Sequence, residues 1–139
     1  MFSMCYTLRE HTADVAVEAH GSTLGNVFAA VADGLTAAMC DELAETGDRF
    51  SFSVRAESRE ALLFDYLDQL IYERDVRGVL PAAHEATVRQ TDDEWIVDAS
   101  ARGIPFADVD ARDVKAVTYS EMRLEETGNG WEAYVVFDV

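Results

Sequence analysis

Three side chains in this 139-residue sequence stand out for the chemistry they could do: Asp14, Asp138 and Lys115. Asp14 sits in His11-Thr12-Ala13-Asp14-Val15, where polar groups interrupt an otherwise apolar strand start, and Asp138 lies in Phe137-Asp138-Val139 at the end of the last apolar run. A carboxylate at a strand end can reach across a sheet edge. The Val139 carboxylate would stand beside that of Asp138, completing a compact set of hard oxygen donors. Such a set suits Ca²⁺ as the first expectation, with Mg²⁺ and Mn²⁺ as alternatives, over a thiolate-seeking metal. Against this stands the bland reading: the chain has 27 acids, the default for any one of them is solvated surface, and sequence spacing alone does not bring Asp14 to Asp138.

Lys115 is the sharper clue. Ten of the eleven cationic residues are arginine, and the one primary amine is kept in Asp113-Val114-Lys115-Ala116-Val117-Thr118-Tyr119. An ammonium is a compact point charge that pairs with a carboxylate or phosphate or loses its proton when buried, whereas a guanidinium is a flat fork that stays charged. Among the histidines, His11 could bond a neighbouring carbonyl or orient Asp14 as a second-shell partner. His20 and His84 are isolated and are expected at the surface or the edge of the core. Asp108, Asp110 and Asp113 resemble the start of a calcium loop of the EF-hand type. The glycine and glutamate that such a loop needs are replaced by Asp113 and Tyr119, so the run reads as acidic surface.

No glycine-rich phosphate loop, nucleophile elbow or zinc-spaced histidine pair is present. A stand-alone metal-dependent hydrolase would need a base and an oxyanion stabiliser beside the metal, and only His11 and Lys115 offer themselves.

The elements that must position these residues follow from periodicity. Short apolar stretches from Met4 to Leu8 and from Val15 to Ala19 read as strands. Ser22 and Thr23 are good N-caps, and Leu24, Val27, Phe28, Val31, Leu35, Ala38 and Met39 follow at helical spacing, which predicts a helix over Leu24–Met39 despite Gly25 and Gly34. Phe50, Phe52 and Val54 alternate with polar neighbours as in a half-buried strand. Ser58 caps a second helix with an apolar stripe of Leu62, Leu63, Tyr66, Leu67, Leu70 and Ile71. Beyond Pro81, Glu85–Gln90, Glu94–Ser100 and Val114–Glu125 are strand candidates, and a Thr127-Gly128-Asn129-Gly130 turn joins the last of them to Trp131–Val139. Strand blocks around two helices predict an α+β fold, a two-layer sandwich of mixed or antiparallel sheet covered by both helices, as one domain over 1–139.

Composition limits the partners. A formal charge of −16 with 49% hydrophobic residues describes a folded chain with an acidic surface, which suggests a salt-loving, halophilic host. Binding to a phosphate backbone needs clustered cations, and no basic run exists, so contact with RNA is expected to be indirect or weak. Cys5 and Cys40 have no CxxC or His company and are expected to be reduced and structural. No run approaches the roughly 18 apolar residues of a membrane span, and no signal pattern opens the chain. A cytoplasmic protein without membrane contact is expected.

Taken together, His11-Thr12-Ala13-Asp14-Val15, the Leu62-Leu63 to Leu70-Ile71-Tyr72 helix, Val114-Lys115-Ala116-Val117-Thr118-Tyr119 and the closing Phe137-Asp138-Val139 resemble the archease family along essentially the whole chain. The resemblance implies a non-enzymatic activator of the tRNA-splicing RNA ligase, which joins tRNA halves through a 3′-phosphate or 2′,3′-cyclic phosphate. It implies promotion of the ligase's guanylylation and multiple turnover, the guanylate residing on the ligase's own histidine. Asp14, Asp138 and Val139 match the family's metal-binding positions, and Lys115 matches a lysine important for activation. The alternative role suggested for the family is that of a chaperone or modulator of tRNA-modifying enzymes such as methyltransferases. A monomer is the favoured state. One departure is Ser120, where the family usually places histidine after the Thr-Tyr pair.

Overall fold

The computed structural model describes residues 5–11, of which 9–11 by backbone alone, and 14–139. The chain runs β1 (Cys5–His11), β2 (Asp14–Gly21), α1 (Leu24–Met39), β3 (Asp48–Ala56), α2 (Arg59–Arg77), β4 (Val79–Gln90), β5 (Trp95–Pro105), a 3₁₀ turn (Phe106–Asp108), β6 (Ala116–Thr127) and β7 (Gly130–Asp138). The expected α+β sandwich is present. Its described strands pair antiparallel throughout and divide into two sheets, β1-β2-β7-β6 and β3-β5-β4.

Helix α1 starts where the sequence places it: the Thr23 hydroxyl accepts from the Asn26 N–H at 3.1 Å, and the Ser22 hydroxyl accepts from the Asn26 side chain at 2.8 Å. Its two internal glycines, each worth about 1 kcal/mol against the helix relative to alanine, have a packing reason. A methyl group at Gly34 would collide with the Val17 side chain on β2, and one at Gly25 with the Ala86 carbonyl on β4. The helix is thus pressed against a strand of each sheet. Helix α2 is capped by Ser58, whose hydroxyl accepts from Ala61 N–H at 3.1 Å, and ends at Gly78 in the left-handed conformation (φ 66°). Its apolar stripe is buried as predicted. Glu73, which lies off that stripe, is buried too because Arg77 (2.7 Å) and Gln69 (2.9 Å) satisfy its carboxylate. Tyr66 sits at the centre, with ring centroids 5.7 Å from Phe28 of α1 and 6.0 Å from Phe52 of β3, joining both helices to the second sheet.

Pro81 does not precede β4 but lies inside it. A strand residue turns its N and its carbonyl to the same side, and the Pro81 carbonyl accepts from the Thr36 hydroxyl of α1 at 2.7 Å. The ring nitrogen therefore faces the helix on the outer side of an edge strand, where no ladder bond is lost. The register between β4 and β5 slips between Ala82 and Glu85, with Ala83 at φ 51°. That slip brings His84 inside: it is 5% exposed, not at the surface or core edge as its isolation in sequence suggests.

Candidate functional site

The first sheet assembles the candidate residues at one end. Asp14 opens β2, Asp138 closes β7, and the antiparallel register sets them directly opposite one another. On the other side of β7, Ala116 stands opposite Asp138, and the preceding Lys115 donates its backbone N–H to the Asp138 carbonyl at 2.8 Å. On the far side of β2, the backbone of His11 pairs with Asp14; the His11 side chain, read as an orienting group, lies outside the described residues. Directly paired residues share a face of a sheet, so Asp14 and Asp138 share one with the pairs Ala16–Val136 and Glu18–Tyr134. Val17, pressed against Gly34 of α1, is of the opposite parity, so the carboxylate pair stands on the face turned away from α1.

Asp14 is half-buried, while Asp138, Val139 and Lys115 are exposed. The Lys115 ammonium enters no ion pair among the described residues. Its backbone is fixed from behind. Arg74, in the last turn of α2 and buried, donates to the Val114 carbonyl at 2.8 Å and lies 3.3 Å from the Asp113 carboxylate. That bond is why β6 begins at Ala116, two residues after the alternation predicts: the Val114 carbonyl is turned to the helix and not to β7. Arg112 holds the same segment to α1, donating to the Ala37 and Ala38 carbonyls and to Asp41. This guanidinium supplies the cationic cap that α1 lacks in its own last turn. Neither arginine is distinguished in sequence from the other eight, and only their contacts reveal the role.

Two carboxylate side chains do not make a complete metal cage. Among the described residues no group of three or more His, Cys, Asp or Glu side chains is assembled to hold a metal. Asp108, Asp110 and Asp113 form no such group either; they are exposed, with Asp108 accepting from Thr46 at 2.7 Å and Asp113 facing Arg74. Ser120 lies exposed in a register slip of β6 between Thr118 and Arg123, its N–H donated to the Thr118 hydroxyl at 2.9 Å and the next residue, Glu121, at φ 63°. Within the same slip, Tyr119 stacks on Phe64 of α2 with ring centroids 4.2 Å apart. His20 is set against Glu132 (3.3 Å) and Glu18 (3.9 Å) on the outer face of the first sheet. Cys40 is buried and Cys5 exposed, both as free thiols.

The model of the Archease protein family matches residues 6–139. The chain belongs to the archease family. It is 34% identical over 135 residues to the protein archease of Thermococcus gammatolerans and 31% identical to that of Pyrococcus furiosus, in both cases covering 94% of this chain and 95% of the relative. The protein archease of Methanosarcina acetivorans is 32% identical over 143 residues, covering 96% and 95%. Among solved structures, a solution structure of a Methanobacterium thermoautotrophicum protein is 27% identical and superposes with a TM-score of 0.83, covering 96% of this chain and 98% of that one. A Thermotoga maritima crystal structure, described as an archease and possible chaperone, shares the fold with a TM-score of 0.64 at 24% identity, covering 94% of each chain. Among the described residues no helix is long and apolar enough to cross a membrane.

Proposed function

We propose that this chain is a metal-binding activator of the tRNA-splicing RNA ligase, promoting the ligase's guanylylation and multiple turnover without carrying the ligation chemistry itself. The observation that supports the reading is the meeting of Asp14 and Asp138 across β2 and β7, with the backbone of Lys115 bonded to Asp138. The two side-chain carboxylates and the Val139 carboxylate would hold the ion, with His11 beside Asp14 in the backbone register. Hard oxygen donors fit Ca²⁺, with Mg²⁺ and Mn²⁺ as alternatives. When bound, the ion would supply positive charge for arranging phosphate groups at the ligase. Lys115 presents an exposed ammonium beside that edge, able to pair with a carboxylate or phosphate of the partner. Contact with RNA itself is indirect or weak, since a chain of net charge −16 repels a phosphate backbone. The protein works in the cytoplasm as a monomer.

The test is multiple turnover of the same organism's ligase with wild type, Asp14→Ala and Lys115→Arg. Both variants are expected to keep their far-UV spectrum and to support less turnover than wild type. Full activity of Asp14→Ala overturns the reading. A second reading, a chaperone or modulator of tRNA-modifying enzymes such as methyltransferases, is favoured by the description of the Thermotoga maritima relative as a possible chaperone. Under it, stripping metal with a chelator reduces function only as far as it reduces folding. Loss of ligase activation at unchanged helicity counts against it.

A further inference from the structure

Helices α1 and α2 bring their C-terminal ends to a common cleft, which the segment 106–113 closes. One part is a cavity of about 330 Å³ whose apolar lining includes Met39, Leu80, Phe106 and Val109. It continues into a second hollow of about 380 Å³ that shares Val109, Asp110 and Arg112 with the first. Phe106, in the 3₁₀ turn, is 43% exposed, leaving an aromatic ring at the surface of a very acidic protein. The turn is anchored, since the Phe106 N–H donates to the carbonyl of Gly78 at the end of α2.

The electrostatics of the cleft have one sign. Six carboxylates line it, those of Asp41, Glu42, Asp75, Asp108, Asp110 and Asp113, against two guanidiniums. Both guanidiniums are already engaged: the buried Arg74 by the Val114 carbonyl, Asp75 and Asp113, and the exposed Arg112 by the carbonyls of α1 and by Asp41.

An apolar lining with an acidic rim selects its occupant. A divalent ion does not need the apolar lining, and no three-sided ligand group is assembled among the described residues. A nucleic acid would be repelled. A second copy of this chain would bring another −16 of net charge. We propose that the cleft docks a basic segment of a partner protein, one large apolar side chain seated on Phe106 and Met39 between arginines or lysines that meet the carboxylate rim. The inference goes beyond the activator reading and does not depend on it, because none of the lining residues belongs to the Asp14–Asp138 edge.

The experiment uses the full chain, isotopically labelled, titrated by NMR with the heptapeptide Gly-Arg-Arg-Leu-Arg-Arg-Gly in 0.3 M KCl, salt enough to screen diffuse attraction. Shift changes are expected to centre on residues 39–42, 74–80 and 106–113. Replacing the peptide's Leu by Gly, or making Phe106→Ser in the protein, is expected to weaken binding about ten-fold, the worth of one largely buried apolar side chain. Because Phe106→Ser could disturb the turn, Asp110→Lys on the exposed loop is the second variant, also expected to weaken binding. Three outcomes overturn the proposal: shifts spread over the acidic surface and indifferent to both replacements, Ca²⁺ alone moving the same resonances and displacing the peptide, or dimerisation of the free chain through residues 106–113.

Discussion

Two polar clusters in this chain are built in opposite ways. At the end of the first sheet, Asp14 and Asp138 stand opposite one another at two strand termini, Asp14 half-buried and Asp138 exposed, with the exposed Lys115 tied in through its backbone. Between α1 and β4, Thr36, His84 and Asp33 meet inside the protein. With one proton to give, the Thr36 hydroxyl donates along the shorter path to the Pro81 carbonyl (2.7 Å, against 3.1 Å to Ala32) and accepts from His84 Nε2–H at 2.8 Å. His84 is then neutral, with a bare Nδ1 that has no partner among the described residues. Burial pushes its pKa down to about 3 and that of Asp33 up to about 6. The inner cluster spends its hydrogen bonds on holding α1 to the bulged strand; the outer one stands at a sheet end, with Asp138 and Lys115 exposed. Polar groups that bind the fold to itself and polar groups that stand at the surface are separated here by where the strands end.

The largest contrast should come from one substitution in each cluster. If the chain acts as the proposed activator, Asp138→Ala is expected to lower ligase turnover by at least about 10-fold, the low end of the range for losing even an outer-shell partner of a metal, while leaving the thermal midpoint nearly unchanged. Thr36→Val is expected to do the reverse. It removes the bond to Pro81 and strands the His84 ring, costing about 1–3 kcal/mol, with activation intact at temperatures where the protein is folded. Paired urea titrations and turnover assays check both. A Thr36→Val protein of wild-type stability, or an Asp138→Ala protein that unfolds readily, would erase the distinction.

Much of this arrangement is legible in the sequence, and what is not has physical causes. Both helices, their caps and the apolar faces of β3 and α2 follow from period and capping chemistry, because those signals are local. Gly25 and Gly34 look like defects until the partner strands are in place. The meeting of Asp14 with Asp138 depends on register between strands from the two ends of the chain, which no spacing encodes; family resemblance supplied the pairing and the fold supplied the contact. The burial of His84 is not legible because a register slip turns it inward, and a slip leaves no periodic trace. The role of Arg74 is not legible because a buried arginine and a solvated one look alike in sequence.

The inner cluster also carries opposed pH dependences. Asp33 has its pKa raised from 3.8 to about 6, chiefly by burial and against the lowering effect of the His84 N–H, so the fold prefers its protonated form. Its stabilising contribution is complete below pH 3.8 and is lost as pH rises through 6. His84 has its pKa lowered from 6.5 to about 3, chiefly by burial and further by the charge of Arg49, so the fold prefers it neutral. Its contribution is complete above pH 6.5 and is lost as pH falls through 3. Between pH 6 and 4 the two oppose each other. Asp33→Asn, which keeps an oxygen for the His84 N–H, should therefore show a steeper loss of thermal midpoint on acidification than wild type. Parallel curves would mean that Asp33 does not titrate in that window.

The smallest expected effect is the most exacting test of the inner cluster. Tyr66 is fully buried, its hydroxyl has no hydrogen-bond partner among the described residues, and burial together with the charge of Asp33 pushes its pKa up. A buried donor without a partner costs about 1–3 kcal/mol, whereas the ring contacts with Phe28 and Phe52 survive removal of the hydroxyl. Tyr66→Phe should thus leave stability unchanged or raise it by about 1 kcal/mol, read from the urea midpoint at constant slope. A loss of stability would show that the hydroxyl belongs to the Asp33–His84 network, making that network larger than its bonds to Thr36 indicate.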